Sequence, residues 1–379
     1  MDATDTGPER LLAAALLLPG LLACTAAWAD SPPEQGLIAT KLLDYQDRQP
    51  GLQRTHVRAP SAYLLLPVGS AWALEASAVS DSVSGASPRY HTAISGASRQ
   101  TERRYAADAR LTRYAERHSW RLGIAGSDEH DFHSLALSGG FSVSSDDNNR
   151  SASLDLAYTH DRMASTDDPS LDRRRRTLQL AAGLTQNLSE RDVVQGTLTL
   201  SHGRGFYDDP YKFPDHRPDH RNQLAAVLRW NHHVDSLDAS LRSGYRYYAD
   251  SFGIRAHTLD LEWVQPVGDR FTVSPALRYY SQRAARFYID PQPGEAAGQP
   301  PLPAGWTPGS VLSADQRLSG FGAIGLALKA EVKLDARWSL DAKFDHYQQR
   351  AAWRLGGSGS PGLATFSARW LQLGASYRF

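Results

Sequence analysis

The sequence predicts an all-β protein: a transmembrane antiparallel up-and-down β-barrel of about 16 strands behind an N-terminal signal peptide. Three observations carry that prediction. Apolar and polar residues alternate with period two from about residue 37 to the end, the mark of strands with one apolar and one polar face. Short turns alternate with longer connections. The chain closes on a strand whose apolar face ends in an aromatic residue, Phe379.

Composition removes the main rivals. Lys plus Arg number 41 and Asp plus Glu number 41, so the basic excess of a nucleic-acid binder is absent and no nucleic acid is expected as a partner. After the first thirty residues no apolar run reaches the ~18 residues of a membrane helix. A barrel survives that test because its alternating strands cancel in any running average. The one cysteine, Cys24, lies in the leading apolar segment, so a mature chain without that segment has no disulfide, zinc-thiolate site or cysteine nucleophile.

The first element is the leader. Leu11 to Ala23 is a Leu/Ala run broken at Pro19-Gly20, and Ala27-Trp28-Ala29 supplies an A-x-A cleavage site before Asp30. Residues 1–29 are therefore expected to be a signal peptide and residues 30–379 the barrel domain. Asp2, Asp5 and Glu9 against Arg10 make a poor basic leading region, which a misplaced start would explain. Leu21-Leu22-Ala23-Cys24 offers a rival reading, a lipoprotein box with Cys24 acylated.

The strands follow at 37–47, 54–67, 70–82, 103–115, 119–130, 133–145, 150–161, 173–187, 191–204, 221–233, 236–250, 254–266, 269–283, 315–332, 336–350 and 365–379. In the third, Trp72, Leu74, Ala76 and Ala78 share a face while Glu75, Ser77 and Asp81 take the other. In the seventh, Leu154, Leu156 and Tyr158 align, and Leu178, Leu180, Ala182 and Leu184 repeat the pattern in the eighth. Helical periodicity is missing, which argues against a βαβ enzyme core.

Every second connection is short: Val68-Gly69, Glu116-Arg117-His118, Asp146 to Asn149, Leu188-Ser189-Glu190, Val234-Asp235, Val267-Gly268 and Lys333-Leu334-Asp335. Most of the others are longer, and the longest, 284–314, holds Pro291, Pro293, Pro300, Pro301, Pro303 and Pro308. Short periplasmic turns alternating with longer outside loops are the layout of bacterial outer-membrane barrels. Trp72, Trp120, Trp230, Trp263, Phe271 and Trp338 sit near short turns with apolar parity, as an interfacial girdle requires. In the last strand Leu371, Leu373, Ala375, Tyr377 and Phe379 share a face. Tyr377 and Phe379 read as an assembly signal, offered by strand addition to the barrel assembly machinery.

Six segments together resemble one family. They are Ser84-Gly-Ala-Ser-Pro88-Arg89, Asp209-Pro-Tyr-Lys212, Arg229-Trp-Asn-His-His233, Gly253-Ile-Arg-Ala-His257-Thr258, Ser313-Ala-Asp-Gln-Arg317 and Trp353-Arg-Leu-Gly-Gly-Ser-Gly-Ser-Pro-Gly362. The chain from about Pro33 to Phe379 is similar to the proteobacterial domain-of-unknown-function family number 3570, whose members are predicted outer-membrane proteins. The resemblance implies fold and location, in the outer membrane of a Gram-negative bacterium, without a reaction or ligand residues. Genes of this family can sit beside periplasmic thioredoxin-like and flavin-transferring proteins, so the resemblance also implies a possible periplasmic redox partner.

Candidate chemistry lies on the polar strand faces. Arg229, Arg242, Arg246 and Arg278 share the lumenal face with Asp260 and Glu262, and Asp341 and Asp345 flank Lys343. Such charges either set a transverse field that selects solutes or neutralise one another across strands. A second candidate is the loop near 202–220, where His202, Asp208, Asp209, His216 and His220 are metal-ligating types without the spacing of an established zinc motif. Glu129, His130, Asp131 and His133 form a smaller group of the same kind. Arg173 to Arg176 opens a strand at its outer end, where it would meet lipid and lipopolysaccharide phosphates or plain solvent. Gly356 to Gly362 lacks the Lys-Ser/Thr of a phosphate loop, and no G-x-S-x-G elbow appears. The sequence thus predicts a porin-like pore or conduit, with no cofactor and no catalytic residues. The alternative is an outer-membrane metal-binding or redox-linked protein or enzyme using the His/Asp loop.

Overall fold

The computed structural model describes residues 31–86, 99–290 and 302–379. The signal-peptide reading of 1–29, Cys24, Pro88-Arg89 and Pro291, Pro293, Pro300 and Pro301 lie outside the described residues. Strands β1 (Leu37–Gln49), β2 (Leu52–Val68), β3 (Trp72–Ala86), β4 (Arg99–Tyr114), β5 (His118–Asp128), β6 (Phe132–Ser144), β7 (Arg150–Met163), β8 (Arg173–Asn187) and β9 (Asp192–Gly205) lead to a two-residue strand β10 (Asp215–His216). Then come β11 (His220–Val234), β12 (Ala239–Asp250), β13 (Arg255–Val267), β14 (Phe271–Gln282), the short β15 (Leu312–Ser313), β16 (Phe321–Lys333), β17 (Trp338–Arg350) and β18 (Phe366–Arg378). All but β10 and β15 form one closed antiparallel barrel, in which β1 pairs with both β2 and β18. β10 and β15 pair with each other.

Closure leaves no free sheet edge, which is what a wall facing hydrocarbon requires. Its outward face is apolar: Leu122, Leu137, Leu154, Leu180, Leu200, Leu228, Leu326 and Leu373 are all exposed. Trp72, Trp120, Trp230, Phe271 and Trp338 stand outward near one end as expected from their parity, Trp263 shares that parity but is half-buried, and Phe141 joins the girdle. Trp338 packs on Tyr377 at 4.9 Å between ring centroids, and Tyr377 stacks on Phe379. The girdle end is called the turn end below, and the opposite end the loop end.

Two details depart from the sequence reading. The strand expected at 315–332 begins only at Phe321, because Asp315 caps a 3-10 turn over Gln316–Leu318 by accepting the Arg317 N–H at 3.0 Å. Several loop-end connections, 50–51, 129–131 and 251–254, are also as short as those at the turn end. Loop length therefore alternates less strictly than predicted. At Gly51 and Gly253 the backbone is left-handed (φ 74° and 95°), which lets the chain reverse in so few residues.

A buried cluster sits inside the loop half of the barrel. Leu43, Tyr45, Val57, Ala59, Tyr248, Ala256, Tyr280, Phe321, Ala323, Tyr347 and Phe366 face inward from β12–β14, β16–β18, β1 and β2. Phe252, Ile254, Ala285, Leu318 and Leu363 come down onto them from the connections.

Candidate functional site

The inner wall has two unlike halves. From β5 to β9 the inward positions are mostly small: Ser138, Gly140, Ser153, Ala157, Thr177, Ala181, Gly183, Thr197 and Thr199 are matched across the strands in register. Most of these are half-buried, with Arg121 and Asp155 against Gly140, while Ser119, Ser142, Thr185 and Ser201 on the same wall are buried. From β11 round to β2 large and charged inward residues are interleaved with small ones such as Gly244, Ala256, Ala323 and Gly325. At the loop half they are fully buried, Tyr45 at 1% and Tyr248 at 0% exposure. Nearer the turn end the same strands open again, with the side chains of Arg242 and Arg278 51% and 57% exposed.

Two connections fill the loop half. The described parts of the connection between β14 and β16, 283–290 and 302–320, settle there: the Ala285 N–H donates to Leu318 O at 2.8 Å, the Arg286 N–H to Phe252 O at 2.9 Å, and Gln282 Nε2 to Ser319 O at 2.6 Å. The 206–219 connection crosses the mouth. On the small-residue side, the Tyr211 hydroxyl donates to Asp131 and accepts the Thr166 N–H at 3.0 Å. On the other side, β10 pairs with β15, and Arg217 Nη2 donates to Asp315 Oδ2 at 2.6 Å. Arg317 donates to the same carboxylate at 2.6 Å and also holds Asp209. Asp209, Asp215 and Asp315 thus interleave with Arg217 and Arg317, and Lys212 lies in the field of Asp209 and Asp315.

Burial raises the Asp315 pKa, yet Arg317, Arg217 and Lys212 together hold the carboxyl well below its ordinary value. Asp215 shares Arg217 with it, and burial pushes Asp215 up. Two carboxylates on one guanidinium split in this way, because the better-paired one keeps its charge. Burial lowers the Lys212 ammonium.

The lumenal charges predicted from sequence are paired along their own wall. Arg242 meets Glu262 at 3.2 Å and Arg278 meets Asp260 at 2.5 Å, each pair directly in register. Lys343 meets Asp345 at 2.9 Å, and Asp341 meets Lys41 at 3.5 Å. Arg229 donates to Gln195 at 3.2 Å, and Arg246 lies over the Tyr248 ring at 5.2 Å. The facing wall carries its own pair, Arg121 and Asp155, at 2.9 Å.

The residues of the His/Asp loop do not converge. His202 bonds Asn222, His216 bonds Asp208, His220 bonds Asp219, and Asp209 takes Arg317. Among the described residues no group of three His, Cys, Asp or Glu is placed to hold a metal ion. His133 pairs with Asp128, while Asp131 is engaged by Tyr211.

Sequence reasoning missed the latch of Asp315, Arg317 and Arg217. Its signal was present: Asp209 to Lys212 and Ser313 to Arg317 are two of the segments that carried the family resemblance. The structure brings them together; Ile254 and Ala256 of 253–258 lie in the adjoining core, and Ser360 of 353–362 accepts the Gly320 N–H at 2.9 Å.

Comparison with known proteins agrees with this architecture. The family model described as "Protein of unknown function (DUF3570)" matches residues 96–172 and 162–370. No curated protein matches the chain. Among solved structures, CdiB from Acinetobacter baumannii has a TM-score of 0.51 at 10% identity, covering 89% of this chain and 60% of that one. The siderophore receptor PirA from Pseudomonas aeruginosa has 0.45 at 12% identity, covering 84% and 56%. Pseudomonas aeruginosa OccK9 (OpdG) has 0.46 at 10% identity, covering 91% and 98%. The chain spans less than two thirds of the first two. The fold is a closed 16-strand antiparallel barrel of the outer-membrane type.

Proposed function

The chain belongs to the DUF3570 family, and from that premise we propose that it is a porin-like conduit of a Gram-negative outer membrane, narrowed at its outer mouth by its own connections. The turn end faces the periplasm and the loop end the outside. Solute crosses along the small-residue wall of β5–β9 and leaves past the bridge made by residues 206–219. One observation supports this reading above others: along the middle of that wall the inward-facing Ser, Thr, Ala and Gly are half-buried and contribute nothing to the buried cluster, while the opposite wall is packed to 0–1% exposure in its loop half. Sixteen strands enclose more space than their side chains fill, so where the connections settle decides which part of the lumen stays open.

The ion pairs below the packed half make the path polar without giving it a strong sign. Each acid stands beside a base on the same or the next strand, so fields cancel over a few ångströms. Small polar solutes of either charge fit such a lining better than a multiply charged anion or cation. The test is conductance of the purified barrel in a planar bilayer. Stable unitary steps are expected, and their absence in the parent protein overturns the reading.

A further inference from the structure

On the outward face, just beyond the apolar band, β7, β8, β9 and β11 carry an unusual row. His160 stands directly opposite Arg176, Arg176 opposite Arg204, and Arg204 opposite His220. One register step further out, Arg162 stands opposite Arg174. Below them on the same strands, Tyr158, Leu178, Leu200 and Leu224 take the same outward parity, so the row caps the hydrocarbon-facing surface. Like charges directly opposite on one sheet face repel.

The neighbouring acids are already engaged. Asp172 holds Arg162 through two contacts at 2.8 and 3.1 Å, and Asp219 holds His220 at 3.0 Å. Asp172 and Asp219 also lie in the fields of Arg174 and Arg204, but no carboxylate among the described residues comes within 4.0 Å of Arg174, Arg176 or Arg204. The opposite side of the barrel is built differently at this level. There Asp44 sits between His56 and Arg58, at 2.9 and 3.2 Å, and neutralises them.

A second observation points to the ligand. An apolar groove of about 1530 Å³ runs over the outer wall along Leu42, Ala78, Tyr105, Ile124 and Leu135, and its loop end is bordered by His160, Arg162 and Arg174. A greasy channel that ends at Arg174, with Arg176 two residues along the same strand and Arg204 opposite it on the next, matches a lipid, with acyl chains in the groove and phosphate above them. Guanidinium forks bind phosphate oxygens in bidentate fashion.

We propose that Arg174, Arg176 and Arg204 form a binding site for the phosphate groups of an outer-leaflet lipid, whose acyl chains lie in the adjoining groove. The site relieves the repulsion along the row and fixes one face of the barrel to its lipid. This inference rests on the barrel being embedded in a membrane. It does not depend on whether the lumen conducts.

The test uses the whole purified barrel in neutral detergent and three probes: bisphosphorylated lipid A, its dephosphorylated counterpart, and inorganic phosphate. Each basic side chain at an anionic lipid surface is worth about fivefold in affinity, so Arg174→Gln with Arg176→Gln and Arg204→Gln should weaken lipid A binding by on the order of a hundredfold. Arg58→Gln, whose partner is Asp44, should change it little. Retention of the heat-modifiable gel shift shows that the variants are folded barrels, and added salt should weaken binding to the parent. Unchanged lipid A binding in the triple variant overturns the proposal. So does equal binding of the dephosphorylated lipid, which would leave the groove alone responsible. Competition by inorganic phosphate at equal concentration would assign the arginines to a soluble anion and also overturn it.

Discussion

The two halves of the inner wall are built from the same strand, repeated, yet they do opposite things. From β5 to β9 most inward positions in mid-wall carry Ser, Thr, Ala or Gly, with Arg121, Asp155, Gln179 and Gln195 among them, and none of these strands contributes to the buried cluster. From β11 to β2 many of the equivalent positions carry Tyr, Phe, Leu or a charged pair, and two connections settle on them. The hydrophobic effect decides where a loop goes when a barrel is wide enough to leave a choice. Phe252, Leu318 and Leu363 find apolar partners on one side only. The difference teaches that a constriction in a barrel is specified mainly by the wall that receives the loop.

The largest expected effect comes from cutting the latch that holds the packed half closed. Asp315 is fully buried between Arg217 and Arg317. Removing one member of a buried ionic cluster costs about 3–5 kcal/mol, because the remaining charges are left unpaired. The barrel ladder does not include Asp315, so Asp315→Ala should loosen the mouth and leave the barrel folded. Unitary conductance should rise several-fold, with the heat-modifiable gel shift retained. A folded variant with parental conductance would show that the latch does not limit flow.

A pair of tryptophan substitutions sharpens the contrast, because the two halves predict opposite signs. Ala181 faces the bare side, in register with Asp155 and Thr199. Ala181→Trp should occupy free space and lower conductance at little cost in stability. Ala323 is 1% exposed within the packed cluster. Ala323→Trp overfills it, at a cost of about 1–3 kcal/mol, and should displace the 283–320 connection and raise conductance. Equal effects at both positions would dissolve the distinction between the halves.

Much of this architecture was legible in the sequence, for a physical reason. A strand with lipid on one side and water on the other must alternate, so Leu154, Leu156 and Tyr158 declare their face without any long-range information. The girdle and the closing strand are legible for the same reason. The parity of Arg242, Arg246, Arg278, Asp260 and Glu262 also followed from their apolar neighbours, and register then placed Arg242 opposite Glu262 and Asp260 opposite Arg278. Loop placement was not legible. Asp315 and Arg217 are 98 residues apart, and no periodicity connects them. The His/Asp loop looked like ligand chemistry because residue types were read without partners. In the structure Asp208, Asp209 and Asp219 are occupied by His216, Arg317 and His220.

Selectivity probes the charged part of the larger-residue wall. Arg242 and Glu262 neutralise each other at 3.2 Å, so Arg242→Gln with Arg246→Gln leaves the Glu262 carboxylate without its base and removes two positive charges from the lumen. Reversal potential in a salt gradient should move toward cations. The shift should be modest, since the exposed pair is screened by pore water and salt. An unchanged reversal potential with normal conductance would place the solute path away from this wall, which narrows it to the β5–β9 side.

The smallest effect expected is a pH response with two limbs of opposite sign. Asp215 has its carboxyl raised in the latched state by burial. Its contribution to latching is present below the unlatched carboxylate value and is lost as pH rises through the raised one. Acidification from neutrality toward about pH 4 therefore favours the latched mouth. Asp315 is the reverse case, since Arg317 and Arg217 hold it well below the ordinary value despite burial. Its contribution is complete above that value and is lost as pH falls through the depressed one. Conductance should thus stay level or decline slightly from pH 7 to about 4, then climb in stronger acid. Asp315→Asn should abolish the acid climb, because no charge remains there to be neutralised. A rise that begins well above pH 5 in the parent would mean that Asp315 is not held as the geometry requires, and that some other contact governs the closed half.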